Sequence, residues 1–282
     1  MNKQNKISLL RGAFFKLQAS HNRISEAFYR KALEKEFIKI HSKIKSVLFS
    51  SSNLEKSLKI LFPLLKKLEK SFNINAFKII SKFLSISKRH FRNSFLKQFV
   101  PLYKDLSAIP FNEKSFKKIL KLSSLQNAQL ISSVKDTYFN SIANAVYNTV
   151  SSGQSPKSLE ISLSSVINLS RKRIKLIARD QSAKLNETLN RVAQKDAGIE
   201  YFIWQTARDE RVSKGIGGHK HLDGKIYKYS DTSHLPIIDS KGSRGLPGDR
   251  VNCRCTAIPV ILSNNSIIKQ NKGGDYTITK TL

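Results

Sequence analysis

The sequence predicts an α+β protein in which an elongated, mostly helical N-terminal region precedes a small α+β C-terminal module with short strands. Three observations lead there. Apolar residues recur at helical spacing from about residue 7 to 150. A polar break, SSGQSP, interrupts the pattern at 151–156. Beyond residue 198 the chain changes to short apolar runs between Gly- and Pro-rich loops. These features divide the chain into a basic helical region at 1–168, a module at 169–262 and a tail at 263–282. With 282 residues and 40% hydrophobic composition, the chain can bury a core of one or two domains.

The first helical pattern runs through ISEAFYRKALEKEFIKIHSKIKSVLF. Ile24, Ala27, Phe28, Ala32, Phe37, Ile40, Ile44, Val47 and Leu48 define its apolar stripe, with lysines on the opposite face. SSSN at 50–53 is a break, and Asn53 is placed to cap the next helix. Pro63 follows early in that helix, near a position that tolerates proline. Residues 75–99 carry another long helical pattern, punctuated afterwards by Pro101 and Pro110, and 113–150 hold one or two more helices. The plain reading of this region is a scaffold of packed helices.

After the break, Ile174, Ile177, Ala178, Leu185, Leu189 and Val192 form one stripe, and Gly198 stands where a C-cap glycine belongs. Tyr201–Trp204 reads as a strand, as do the stretches at 225–229 and 251–262.

Lys and Arg number 50 against 20 Asp and Glu, a formal net charge of +30. The excess is densest in residues 1–100, with 22 basic and 5 acidic side chains. Such a field favours nucleic acid, anionic lipid or an acidic protein surface. Abundant Lys, Asn, Ser and Ile also accompany AT-rich genomes, so composition accounts for part of the charge. The longest apolar run, ILFPLL at 60–65, is far below the roughly 20 residues of a membrane helix. The basic N-terminus has no small-residue cleavage site, so neither a signal peptide nor a membrane span is expected. Two cysteines argue against a disulfide scaffold and fit a reducing compartment such as a bacterial cytoplasm.

The rare chemistry is concentrated. Both cysteines lie in LPGDRVNCRC, and three of six histidines lie between 219 and 234. On a strand, Cys253 and Cys255 would face one way, and a disulfide between them would be strained. With His219 they make three candidate zinc ligands, and Asp209, His221 or His234 is a candidate fourth. The alternative is a thiol pair buried as compact apolar groups. A nuclease could be assembled from His219, His221, Asp209 and Asp223, or a thiol nucleophile from a cysteine and His219. No His-Glu-x-x-His, Gly-x-Ser-x-Gly or P-loop motif fixes such a geometry. Nine of 14 arginines lie between 171 and 254. Arg208, Arg211, Arg250 and Arg254 are read as clamps onto Asp209, Asp223, Asp249 or backbone carbonyls.

Five pieces in order, Ile177–Arg179, Trp204, Asp209–Val212, His219–Gly224 and Pro247–Cys255, resemble the C-terminal domain of the phage Mu F-like head morphogenesis family over roughly 170–262. Those are minor head proteins of tailed phages and prophages. The resemblance marks Trp204, Asp209, Arg211, Asp223, Gly224, Pro247, Gly248 and Arg254 as structural motif residues. Two departures stand out. Three extra residues between Val212 and His219 give a flexible SKGIGG loop, and the second Cys pair often found upstream of Leu-Asp-Gly is absent. The resemblance implies a non-enzymatic role in head morphogenesis, with portal and other head proteins as partners. It places the protein inside the capsid, and in the host cytoplasm during assembly. The charge adds non-specific contact with double-stranded DNA. A toxin-like enzyme on the same module is the alternative; it would need a further folded domain after the CRC motif, where about 25 residues remain.

Overall fold

The computed structural model describes residues 22–50, 54–99, 112–215, 217–260, 262 and 266–280. Four helices come first: α1 (Arg23–Leu48), α2 (Leu54–Phe99), α3 (Glu113–Ser151) and α4 (Pro156–Asp196). Five strands follow: β1 (Tyr201–Gln205), β2 (Ile226–Lys228), β3 (Thr256–Val260), β4 (Ser266–Gln270) and β5 (Tyr276–Lys280). The α+β class with a mostly helical N-terminal region is therefore as the sequence predicts. No helix among the described residues is long and apolar enough to cross a membrane. Asn53, Pro101 and Pro110 lie outside the described residues.

The chain divides into two compact units. One comprises Arg23–Ile86 and Lys121–Gln181, a bundle built from segments of all four helices. Its α1 stripe is Tyr29, Leu33, Phe37, Ile40, Ile44 and Leu48, all buried, whereas Ile24 is 66% exposed. Phe37, Ile40, Ile44 and Leu48 are buried as the sequence predicts, and only the first turns differ, facing inward through the aromatic Tyr29 and Leu33. Tyr29 stacks on Phe83 with ring centroids 4.3 Å apart, and Phe37 meets Phe72 and Tyr138 edge-on. His41 Nδ1 and the Tyr138 hydroxyl, both buried, lie 3.1 Å apart. α2 is one continuous helix with Pro63 inside it. The backbone bond to Lys59 O is lost there, and Lys59 is exposed, so water can satisfy that carbonyl.

α3 ends at Ser151, and Ser155 caps α4 by accepting from the Ser158 N–H at 3.2 Å, with Pro156 at the first helical position. The predicted break is thus a tight helix–helix turn.

The second unit comprises Ser87–Leu120 and the residues from Ser182 on. Phe91, Phe95 and Phe116 are buried in it. α4 closes at Gly198 (φ 75°), with Gly198 N bonded to Lys195 O and Ile199 N to Gln194 O. This is the paired bond set of a left-handed glycine cap, and it turns the chain into β1. The sheet order is β3-β1-β2-β5-β4, with every neighbouring pair antiparallel. β3 is an edge strand, which is why Pro259 is tolerated in it. Residues 266–280, expected to be a tail, instead supply β4 and β5, which pair over five residues each. The core of the module includes Phe202, Trp204, Leu222, Tyr227, Tyr229, Leu246, Cys253, Cys255 and Ala257.

Candidate functional site

The three sequence-selected donors converge. His219 Nδ1 lies 3.3 Å from Cys255 Sγ and 3.5 Å from Cys253 Sγ. All three residues are buried, and their donor atoms lie within 4.8 Å of one another. The cysteines do not sit on a strand as expected: β3 begins at Thr256. They hang from the preceding turn, where Asn252 takes φ 60° and the Cys253 N–H bonds to Arg250 O at 3.1 Å. That left-handed bend, rather than strand alternation, turns both sulfurs toward His219.

Local structure fixes the ring. His219 Nε2 lies 3.1 Å from Ile238 O, and a carbonyl only accepts, so Nε2 carries a proton and Nδ1 faces the sulfurs. The Trp204 ring meets the imidazole edge-on at 5.4 Å. Burial pushes His219 down, but the Cys253 contact and the Ile238 carbonyl outweigh it and leave the imidazole raised. The neighbouring Cys255 thiol and His219 hold Cys253 well below the ordinary thiol range, whereas Cys253 and burial push Cys255 up. Without a metal, the contacts favour negative charge on Cys253 and positive charge on His219.

These residues fit a metal ion. A tetrahedral ion with bonds of ~2.3 Å to sulfur and ~2.05 Å to nitrogen separates those donors by about 3.5 Å. The observed separations are already 3.3 and 3.5 Å. Each sulfur also has a nearby N–H. Gly248 N donates to Cys253 Sγ at 3.4 Å, and the buried Trp204 indole N–H makes no hydrogen bond of good geometry but favours negative charge on Cys255. Outer donors of this kind stabilise thiolates and orient metal ligands.

None of the candidate fourth ligands joins them. Asp209 takes a bidentate pair of bonds from Arg254, Nη2 at 2.6 Å, and a third from Arg211 at 2.7 Å. Those guanidiniums hold its carboxyl well below the usual carboxylate range. His234 pairs with Asp231 at 2.8 Å, and His221 is exposed.

The motif residues build the frame around the donors. Asp223 accepts from Thr206 N at 2.8 Å and from Arg208 Nε at 3.0 Å. Gly224 (φ 83°) bonds to Trp204 O at 2.8 Å. Arg250 reaches Gly217 O at 2.7 Å, and Asp249 accepts from Arg191 at 3.0 Å. Gly217 and Gly218 are buried against neighbouring backbone, so the end of the SKGIGG loop is packed rather than flexible. Pro247 and Gly248 are buried, and a Cβ on Gly248 would lie 2.7 Å from Glu187 Cβ.

One group escaped sequence reasoning. Glu187, Asn190 and Gln194 project from α4 onto β3. Ala257 N donates to Glu187 Oε2 at 3.1 Å, and Asn190 and Gln194 both donate to Ala257 O at 2.9 Å. Tyr229 donates to Gln194 Oε1 at 2.9 Å. Their i, i+3, i+7 spacing beside the Leu185–Leu189 stripe was the available signal.

Residues 140–258 match the family described as Phage Mu protein F like protein. This part of the chain is Mu F-like. The match begins within α3, so the Mu F-like segment takes in all of α4 as well as β1 and β2. An uncharacterized protein of Haemophilus influenzae is 33% identical over 171 residues, which cover 59% of this chain. The aligned part is 35% of that relative's length, so the chain spans about a third of it. No solved structure matches the chain.

Proposed function

We propose that the protein is a minor head protein of a phage or prophage that associates with the portal during head morphogenesis and contacts packaged DNA without sequence preference. The observation that carries this reading is the Mu F-like match over residues 140–258. The module's construction supports a fixed structural part. Its loops are tied by Arg254–Asp209, Arg208–Asp223 and Arg191–Asp249, and α4 is latched to β3. A zinc-type ion on His219, Cys253 and Cys255 would act as a further staple, since metal binding adds directly to folding free energy. The DNA role draws on the net charge of +30 and on exposed lysine rows such as Lys31, Lys35 and Lys39 along α1. In this reading the basic helical region meets partners, and the protein resides inside the capsid after assembly in the host cytoplasm.

A toxin-like enzyme is the second reading, and it draws on the Cys253 thiolate beside His219. The test is genetic. In an inducible prophage, loss of the gene should stop head assembly or infectivity. His219→Ala with Cys255→Ala should do the same through misfolding and remove no hydrolytic activity. Normal particles from the deletion strain would refute the head role.

A further inference from the structure

The donor group holds three protein ligands, not four, among the described residues. A structural zinc site is closed by a fourth protein ligand, whereas three protein ligands leave a position for an external one. His219, Cys253 and Cys255 all line a single cavity of about 220 Å³. Arg211, Arg250 and Arg254 line it too, and no Asp or Glu does. Arg211 and Arg254 are both engaged with Asp209. Arg250 is different: it donates to Gly217 O and forms no salt bridge with a carboxylate among the described residues. An ion on these donors is therefore reached through a cavity whose charged lining is cationic, and the Arg250 guanidinium in it feels the Asp239 charge but forms no direct ion pair.

We propose that the fourth position of this Cys2His site is filled through the cavity by a carboxylate oxygen from outside the module, drawn in by Arg250. This rests on the metal reading above. A divalent ion with two thiolates and a neutral imidazole carries no net charge, so an anionic fourth ligand is drawn by the Arg250 guanidinium, which forms no direct ion pair. Guanidinium and carboxylate also match in planar, forked geometry, and zinc-type ions accept carboxylate oxygen beside sulfur and nitrogen. The source is either a free carboxylate or an acidic side chain of a partner chain.

The experiment uses the full chain loaded with cobalt(II), whose visible bands report coordination. Sulfur-to-cobalt absorption, lost in Cys253→Ser, establishes the metal site. Acetate titrated into this protein should then shift the cobalt bands saturably. Arg250→Gln should keep the sulfur absorption and need at least about tenfold more acetate, and Arg250→Lys should recover part of the difference. Trp204 fluorescence checks that each variant is folded. Tighter binding of a blocked glutamate (acetyl and amide termini) than of acetate assigns the ligand to a partner's side chain; the reverse assigns it to a free anion. Bands that ignore both compounds, or that shift equally in Arg250→Gln, overturn the proposal while the metal reading stands. No sulfur-to-cobalt absorption at all overturns both.

Discussion

Glu187→Gln is the most informative single substitution. Glu187 is 3% exposed, and burial pushes its carboxyl from the ordinary 4.5 up to about 8, against the opposing Ala257 N–H and Asn190 contacts. The folded protein holds this proton to higher pH than the unfolded chain does. Stability is therefore lost as pH rises from about 4.5 to about 8, where the buried group must ionise. At ~1.4 kcal/mol per pH unit the full cost is about 5 kcal/mol, of which about 4 kcal/mol develops between about pH 5 and pH 9. Glutamine keeps the shape and an acceptor for Ala257 N, yet carries no charge. The variant should thus match wild type within about 1 kcal/mol at pH 5 and exceed it by about 4 kcal/mol at pH 9. Trp204 is the chain's single tryptophan and fully buried, so its fluorescence reports the module alone during denaturant unfolding. Chelator should be present so that metal does not pin the fold. Negative charge on Cys253 is one cause of the Glu187 shift, so thiol ionisation adds to the difference in the same direction. Parallel stability–pH profiles would refute the reasoning and mean that Glu187 is ionised in the native state.

Three further outcomes are expected. Gly248→Ala forces a Cβ to within 2.7 Å of Glu187 at φ 88° and should cost about 2–3 kcal/mol, read by the same fluorescence. Arg254→Met removes the bidentate partner of Asp209 and should destabilise the module at neutral pH. Because the partnered carboxyl titrates far below the ordinary range, its contribution is present above that range and lost as pH falls, so the gap from wild type should narrow on acidification. The full chain should retard duplex DNA of any sequence with steep salt dependence. Reversing Lys31, Lys35 and Lys39 to Glu should lower the log–log salt slope by about one per lysine contacting phosphate, and an unchanged slope would remove α1 from the interface.

Particular residues explain what the sequence made legible. Helical periodicity identified α1, α3 and α4 because each buries one stripe, and Gly198 marked the end of α4 because only a left-handed residue makes that cap. The His219 and Cys pair stood out through rarity. Other features depended on pairing at a distance. Nothing local in SIIKQ or YTITK says that they pair with each other, or that Ile226 meets Tyr276 to join them to the sheet. Pro63 argued for an early helical position, yet α2 absorbs one lost bond in exposed backbone. The stretch 251–262 reads as a strand, on which alternation would aim both sulfurs alike, and the Asn252 bend achieves the same result in a turn. Glu187, Asn190 and Gln194 read as ordinary polar helix positions, since their partner, the Ala257 backbone, lies over sixty residues away.

Quantitative mass spectrometry of purified precursor and mature particles from the induced prophage tests the central claim most directly. Peptides spanning residues 140–258 should be present in few copies per particle and should enrich with the portal ring. Absence from both particle types, together with a nuclease activity of the purified chain that His219→Ala abolishes, would contradict the account and favour the enzyme.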